Sequence, residues 1–502
     1  MTILKGENDR CGRLMQYLSA TFCENKLPFI SALIFGFAAH AFMLTNKIPY
    51  GDDLVAMFDK GATTVSGHYG LELLRLVLPD VSMPWIYGLL TQLLLALAVC
   101  FVIKLFRIQS PVLQILLAGV FVSFPAQAAT MMYMFTVVPY ALALTLSIAG
   151  LWYFACDKKL CWLVSPFLIA FSCSIYQGYF SFASSFCVIL MIKALVNGEK
   201  DSKETFKYGL RLLAMLLVAL AVYGVSILLF SKLLHFPIIE DVINEKQSVI
   251  MRIAVAYSAY LKTLFASYFA YVRSLFSSGI HLALVCAAAL AAISKLRGKD
   301  YTVWMLTALC LFIFPLSCYC LYMLADNSYI HSLALYSFAS LYVLCACLLD
   351  SSERVGLKNI ASVCLALIML GNIYYANAWY LRNYMKFEEL KSMYQSVITQ
   401  VISTPGFDEK SKIALVGNTP EQTYNIDENF DMVLPQTPSL DIESTDYAQL
   451  IVSRYLGFDI PFAAQEEVVE LAANPEVVDM SIYPYDGSVK KLGDYIVVKF
   501  AE

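Results

Sequence analysis

Asp52 and Asp53 stand side by side in the run Asn46-Lys-Ile-Pro-Tyr-Gly-Asp-Asp-Leu, just beyond the first long apolar stretch of the chain. Pro49 and Gly51 favour a turn there, and a helix can start after it with an aspartate capping its free N–H groups. One carboxylate suffices for a cap. Adjacent residues on a helix point about 100° apart, so the second carboxylate is free to face a cleft and act as a general base toward a hydroxyl. Glu72 is a second acid–base candidate, and His68, four residues earlier in a predicted loop helix, can face the same cleft. A solvated histidine and a Glu72 to Arg75 pair explain these two equally well. Lys47, Lys60 and Arg75 in this stretch, with Arg252, Lys262 and Arg273 in a later one, can hold a phosphate through charge-assisted hydrogen bonds. Anionic lipid head groups are the other partners such residues meet.

A second set of polar residues interrupts apolar runs, where burial in hydrocarbon is costly. Tyr176 and Gln177 lie in Ser174-Ile-Tyr-Gln-Gly-Tyr-Phe; Asp326, Asn327 and His331 lie at a short turn; Asn372 and Asn377 lie near the end of the last apolar run. They can line a substrate cavity. Interhelical hydrogen bonding, or a helix cap at the turn, needs no substrate.

The elements that must position these groups are membrane helices. Of 502 residues 59% are hydrophobic and only 15% charged, which places the chain in the membrane class. About eleven runs reach the length that crosses a bilayer, over 28–45, 84–106, 111–128, 136–155, 160–176, 178–197, 210–233, 277–295, 302–323, 329–349 and 358–378. Lys and Arg collect in every second loop: Lys104 with Arg107, Lys158 with Lys159, the run from Lys193 to Arg211, Lys295 to Lys299, and Arg354 with Lys358. Basic loops face the cytoplasm, so the N-terminus is expected inside and the C-terminus outside. On the outer side this leaves the loops 46–83 and 234–276, tight turns near 125–135 and 325–328, and the tail. Tyr69 to Leu78 places Leu71, Leu74 and Leu78 on one stripe, and 253–276 is similarly amphipathic, as suits a helix lying in the membrane surface; a further span is the alternative for 253–276.

Residues 1–385 are read as the multi-span domain and 386–502 as a small soluble α/β domain. A helical start, strand-like runs at Lys412–Gly417 and Tyr495–Phe500 and a helix at Ala464–Ala473 support it. This tail carries 20 acidic against 8 basic residues, which argues against nucleic acid or anionic lipid as its partner. Its ALVGN run is not followed by GxGxxG, so no nucleotide cofactor is expected. All 14 cysteines lie between Cys11 and Cys364 and none in the long hydrophilic segments, which excludes a disulfide framework there. No Cys/His cluster suggests a metal, and the mixed-charge stretch Met1 to Lys26 does not read as a cleavable signal peptide.

The Asp52-Asp53 pair after the first span, together with Ser-Ile-Tyr-Gln at 174–177, resembles the type II Gtr family of O-antigen serotype-converting glucosyltransferases. The layout of spans and the extracytoplasmic tail are similar too. The resemblance implies a GT-C fold, an undecaprenyl-phosphate-linked glucose donor and an O-antigen acceptor on the periplasmic side of the bacterial inner membrane. It carries over Asp52 and Asp53 as the acidic site and Tyr176 with Gln177 as an intramembrane motif. Leu54 stands where the family pattern has an aromatic residue, and Gly70-Leu71-Glu72, with Arg75 further on, replaces its Gly-Arg pair.

The leading expectation is therefore sugar transfer from a polyprenyl-phosphate donor to lipid-linked glycan or lipopolysaccharide in contact with membrane lipid, with catalytic Asp52, Asp53 and Glu72, and with Lys60, His68, Arg75, Tyr176, Gln177, Arg252, Asp326 and Asn327 binding substrate. No cofactor or metal is called for. A polysaccharide polymerase or ligase also presents large outer loops but would use Arg-rich ones to grip two lipid pyrophosphates, and only scattered Arg is found. A transporter would show inverted repeats and midplane charges, and neither is evident.

Overall fold

The computed structural model of the chain describes residues 25–49, 51–56, 67–79, 81–234, 248–262, 274–320, 323, 332–419 and 447–501. Among these, nine helices are long and apolar enough to cross a membrane: Asn25–Thr45, Pro84–Phe106, Val137–Ala155, Gln177–Asn197, Ser202–Leu233, Ser278–Leu296, Tyr301–Cys318, Ser332–Asp350 and Val355–Ser403. The chain is a polytopic helical membrane protein. Two of the expected spans take another form. The run 111–128 is a broken pair, Pro111–Ser123 and Pro125–Met132, bent by 41°, and Cys161–Ile175 is a shorter apolar helix of 15 residues. Residues divide into two units by their contacts, one within 1–46 and 62–377, the other within 47–61, 378–431 and 438–502. The helix Val355–Ser403 contributes to both.

In the first unit the local chemistry of the sequence sets the helix ends. Pro84 and Pro111 sit in the first turn of their helices, where a missing N–H costs nothing and the fixed φ is already helical. Pro125 does the same and so ends the helix before it: it cannot donate to Phe121 O, and the chain restarts. The carbonyls left at the break find side chains instead. Tyr336 Oη donates to Phe121 O at 2.8 Å and His40 Nε2 to Val122 O at 2.9 Å. The turn expected near 125–135 is thus largely a helix of 8 residues, Pro125–Met132, because proline at its start favours helix over loop. At the other end of the bundle, basic residues read as orientation signals also cap helices. Lys193 Nζ donates to Phe106 O at 2.8 Å, and Lys299 Nζ to Leu195 O and Val196 O at 2.6 and 2.9 Å, so cations meet the negative ends of two helices.

Ser332–Ala339 is a 3-10 stretch that continues into the helix Ser340–Asp350, and this whole span is buried. Ser202–Leu233 is the reverse, apolar yet largely uncovered by protein, as a lipid-facing helix is. Helices Phe180–Asn197, Ser202–Leu234 and Tyr301–Cys318 line an apolar cavity of about 480 Å³. Of the loop expected over 234–276, the described part is mainly the helix Val249–Lys262.

The second unit is built on a three-stranded sheet of order β1-β3-β2, with β1 Lys412–Val416 parallel to β3 Tyr495–Lys499 and β2 Val489–Leu492 antiparallel to it. Alternation along the strands makes two apolar faces. Ile413, Leu415, Ile496 and Val498 pack with Phe387, Leu390, Tyr394, Val397 and Val401 of the long helix, whose spacing of three and four puts them on one stripe. Ala414, Val416 and Val497 turn the other way, toward Val477, Met480 and the helix Gln465–Ala472. β1, β3 and this helix lie within the runs 412–417, 495–500 and 464–473 of the sequence pattern, whereas β2 has no counterpart there.

Candidate functional site

The acidic pair belongs to the second unit. Gly51–Val55 is a five-residue helix, too short to hold itself in water, and its packing is what fixes it. Leu54 is fully buried in the same core as Phe387, Leu390, Tyr394 and Ile451. A Cβ on Gly51 would stand 2.7 Å from Tyr447 Cζ, so any side chain there would have to displace that ring. Arg454 Nη1 donates to Leu54 O and, at 2.9 Å, to Val55 O, two of the carbonyls that a helix end leaves without backbone donors.

The two aspartates meet different surroundings. Asp53 is wholly buried and ion-paired with Lys47 Nζ; burial lowers the Lys47 pKa against the opposing pull of Asp53. Its charge also adds to burial in raising the Tyr455 hydroxyl. Asp52 is exposed, and partial desolvation, with the charge of Asp53 added, raises its carboxyl above the usual value. A carboxylate that reaches solvent and has gained basicity is suited to take a proton, whereas one locked to a lysine is suited to hold geometry.

The other first-loop residues belong to the first unit. His68 precedes the helix Tyr69–Leu74, donates from Nδ1 to Ile175 O at 2.8 Å, and stacks on Tyr176 with ring centroids 5.8 Å apart. Burial lowers its pKa to about 4, so it is neutral at physiological pH with Nε2 as an acceptor. Tyr176, in extended backbone between Cys161–Ile175 and the 3-10 turn Gln177–Tyr179, stacks on its other side with Tyr140 at 4.7 Å. Gln177 Nε2 donates to Tyr223 Oη at 2.8 Å, and Tyr223 Oη to Gly67 O at 3.4 Å. Gly70 lies against Ser174, whose carbonyl carbon would be 2.9 Å from an added Cβ. Tyr69 is hydrogen-bonded to Ser226 and stacked on Phe230 at 4.4 Å.

Glu72 and Arg75 are ion-paired and partly buried. Arg75 lines a small cavity with Leu71, Leu74, Leu78, Tyr87 and Phe135, which is the leucine stripe of the sequence pattern turned inward. Arg252 lies elsewhere in the unit, donating from Nη1 to Met323 O at 3.2 Å. Lys60, Asp326, Asn327, His331 and Arg273, and the side chain of Lys262, lie outside the described residues.

The structure thus brings His68, Tyr176 and Gln177 into one aromatic and amide patch and sets Asp52 and Asp53 on the sheet unit. Tyr69, Tyr223 and Ser226 in the patch, and Tyr447, Arg454 and Tyr455 around the aspartates, escaped the sequence reading. Tyr223 and Ser226, two polar residues three apart in an apolar span, carried a signal for the first group; nothing local distinguishes the second. Among the described residues no group of three or more His, Cys, Asp or Glu is placed to hold a metal.

Comparison with known proteins gives a match to one family model and none to curated proteins or solved structures. The matching family is Glucosyl transferase GtrII, over residues 41–344, a stretch that includes both aspartates and the whole His68 to Tyr223 patch. More than half of the chain is covered, as the acidic pair and the Tyr176-Gln177 motif led one to expect: the protein is a glycosyltransferase and belongs to the GtrII glucosyl transferase family.

Proposed function

We propose that the protein moves a glucosyl unit from a polyprenyl-phosphate donor to an O-antigen or related envelope glycan at the periplasmic face of a bacterial inner membrane, with Asp52 as the general base. The family assignment over 41–344 carries this reading. Asp52 takes the proton from an acceptor hydroxyl as its oxygen attacks the anomeric carbon; the bond from that carbon to the phosphate oxygen breaks, and the lipid phosphate leaves with the electron pair. Asp53, paired with Lys47, keeps the helix in place and by its charge raises the basicity of its neighbour. Arg75, Lys60 and Arg252 are candidates for the cations that meet the leaving phosphate. His68 and Tyr176 offer stacked rings and Gln177 an amide to a sugar, with Glu72, Asp326 and Asn327 as further polar contacts.

Two observations support a lipid-linked donor. The cavity between three spanning helices is lined almost wholly by apolar groups, among them Leu213, Leu309 and Met323. The carbonyl of that same Met323 accepts from Arg252, so a guanidinium stands beside a chain-sized apolar space. Alternation of basic loops supports the outward placement of the tail as a soluble periplasmic domain.

The donor is tested with purified protein in lipid nanodiscs, offering radiolabelled glucose on a synthetic polyprenyl phosphate or as a nucleotide sugar, with lipopolysaccharide as acceptor. Label appearing in the glycan from the lipid-linked donor alone is the expected result. Transfer from the nucleotide sugar in the absence of lipid phosphate would overturn the donor assignment.

A further inference from the structure

We propose that the C-terminal sheet unit is the mount of the acidic helix, and that Arg454 is the positioning residue that aims Asp52. The inference rests on reading Asp52 as the general base. A helix of five residues has almost no stability of its own, yet Asp52 must be held in one direction to act on a hydroxyl. One tail helix, Ala448–Arg454, supplies the hold at both ends. Tyr447, the residue preceding it, lies against Gly51 at the start of the acidic helix. Arg454, its last residue, donates to the carbonyls of Leu54 and Val55 at the other end. Between the two clamps Leu54 is buried with Ile451, Phe387 and Tyr394. The next residue, Tyr455, stands in the field of buried Asp53 and stacks edge-on with Phe387, ring centroids 4.7 Å apart.

The placement has a consequence for how the chain is divided. The family match ends at residue 344, so the aspartates lie inside the matched region while every residue of the clamp lies outside it. Without the tail the acidic segment keeps its composition and loses what fixes its direction. The tail is on this account part of the catalytic apparatus, acting through another residue's geometry and touching no substrate itself.

The test uses the full chain in nanodiscs with Arg454→Ala and Arg454→Lys. Transfer kinetics, their pH profile and hydrogen exchange of the amides at 51–56 are followed together. Misplacement of a reacting group by about 1 Å can cost on the order of 100-fold, so Arg454→Ala is expected to lower kcat by roughly 10- to 100-fold while the donor KM stays within about twofold. Exchange at 51–56 rises while β1 and β3 stay protected. The acid limb of the pH profile moves down, because Asp52 leaves the desolvating surface. Arg454→Lys, which keeps one donor of the fork, falls between the two, and added guanidinium ion restores part of the Arg454→Ala rate. Faster exchange at 51–56 with unchanged kcat and acid limb would overturn the proposal, as would unchanged exchange. Wild-type transfer by Asp52→Asn would instead overturn the base assignment, and with it the catalytic part of this inference.

Discussion

Replacing Lys47 by methionine removes the cation bonded to a carboxylate that has no exposed surface, while leaving most of the lysine stem's packing in place. Taking one partner from a buried ion pair costs about 3–5 kcal/mol, because the remaining charge keeps its desolvation penalty. Protonation caps that cost. Neutralising an ordinary carboxyl of pKa about 3.9 takes about 5 kcal/mol at pH 7.5 and about 2 kcal/mol at pH 5.5, at about 1.36 kcal/mol per pH unit. The sign follows: protonating a carboxyl costs less at low pH, so the loss of stability on removing the cation is greater at pH 7.5 than at pH 5.5. A loss of this size exceeds what one short helix retains by burying Leu54, so the acidic segment detaches while the sheet stays folded. Hydrogen exchange of the amides at 51–56, corrected for intrinsic rates, reads this directly at both pH values. Lys47→Met should raise exchange strongly at pH 7.5, less at pH 5.5, and the second change Asp53→Asn should relieve it. Wild-type exchange in Lys47→Met at pH 7.5, or a defect that the second change leaves intact, would refute the reasoning.

Three other outcomes follow from the same structure. The acid limb of kcat/KM for transfer should lie above the ordinary carboxylate range, since Asp52 must be deprotonated to act and its pKa is raised; a limb at or below that range would exclude it as the titrating base. Gly51→Ala should lower transfer at unchanged expression, as its Cβ would strike the Tyr447 ring, and Gly51→Ala with Tyr447→Ala should recover part of the loss in the same assay. Tyr336→Phe removes the hydroxyl donor to Phe121 O at the proline break and leaves that carbonyl the longer bond from Phe124 N at 3.5 Å; it should cost about 0.5–1.5 kcal/mol for one lost hydrogen bond, seen as a lower midpoint of thermal aggregation in detergent, and an unchanged midpoint would refute a stabilising role for the hydroxyl.

The spans were legible because a bilayer demands length and apolarity, and Pro84–Phe106 or Val137–Ala155 carry both without interruption. The strands Lys412–Val416 and Tyr495–Lys499 were legible from short β-branched runs. The break at Phe124 was not, since Pro125 signals either a turn or a helix start and only the donors from Tyr336 and His40 decide it. The acidic pair stood out by type and place. Its mount did not, because Leu54 and Arg454 are separated by 400 positions, and an arginine in an acidic tail reads as an ordinary surface charge. The different fates of Asp52 and Asp53 were equally hidden: adjacent identical residues are told apart only by what surrounds each, here burial beside Lys47 against exposure to solvent.

The most direct measurement is the rate of glucosyl transfer by purified Asp52→Asn beside Asp53→Asn and wild type, with the fold of each checked by exchange in β1 and β3. A lost general base costs about 10²- to 10⁴-fold, so Asp52→Asn should fall by that factor with its sheet intact, and Asp53→Asn should fall less. Transfer at the wild-type rate by folded Asp52→Asn would contradict the account.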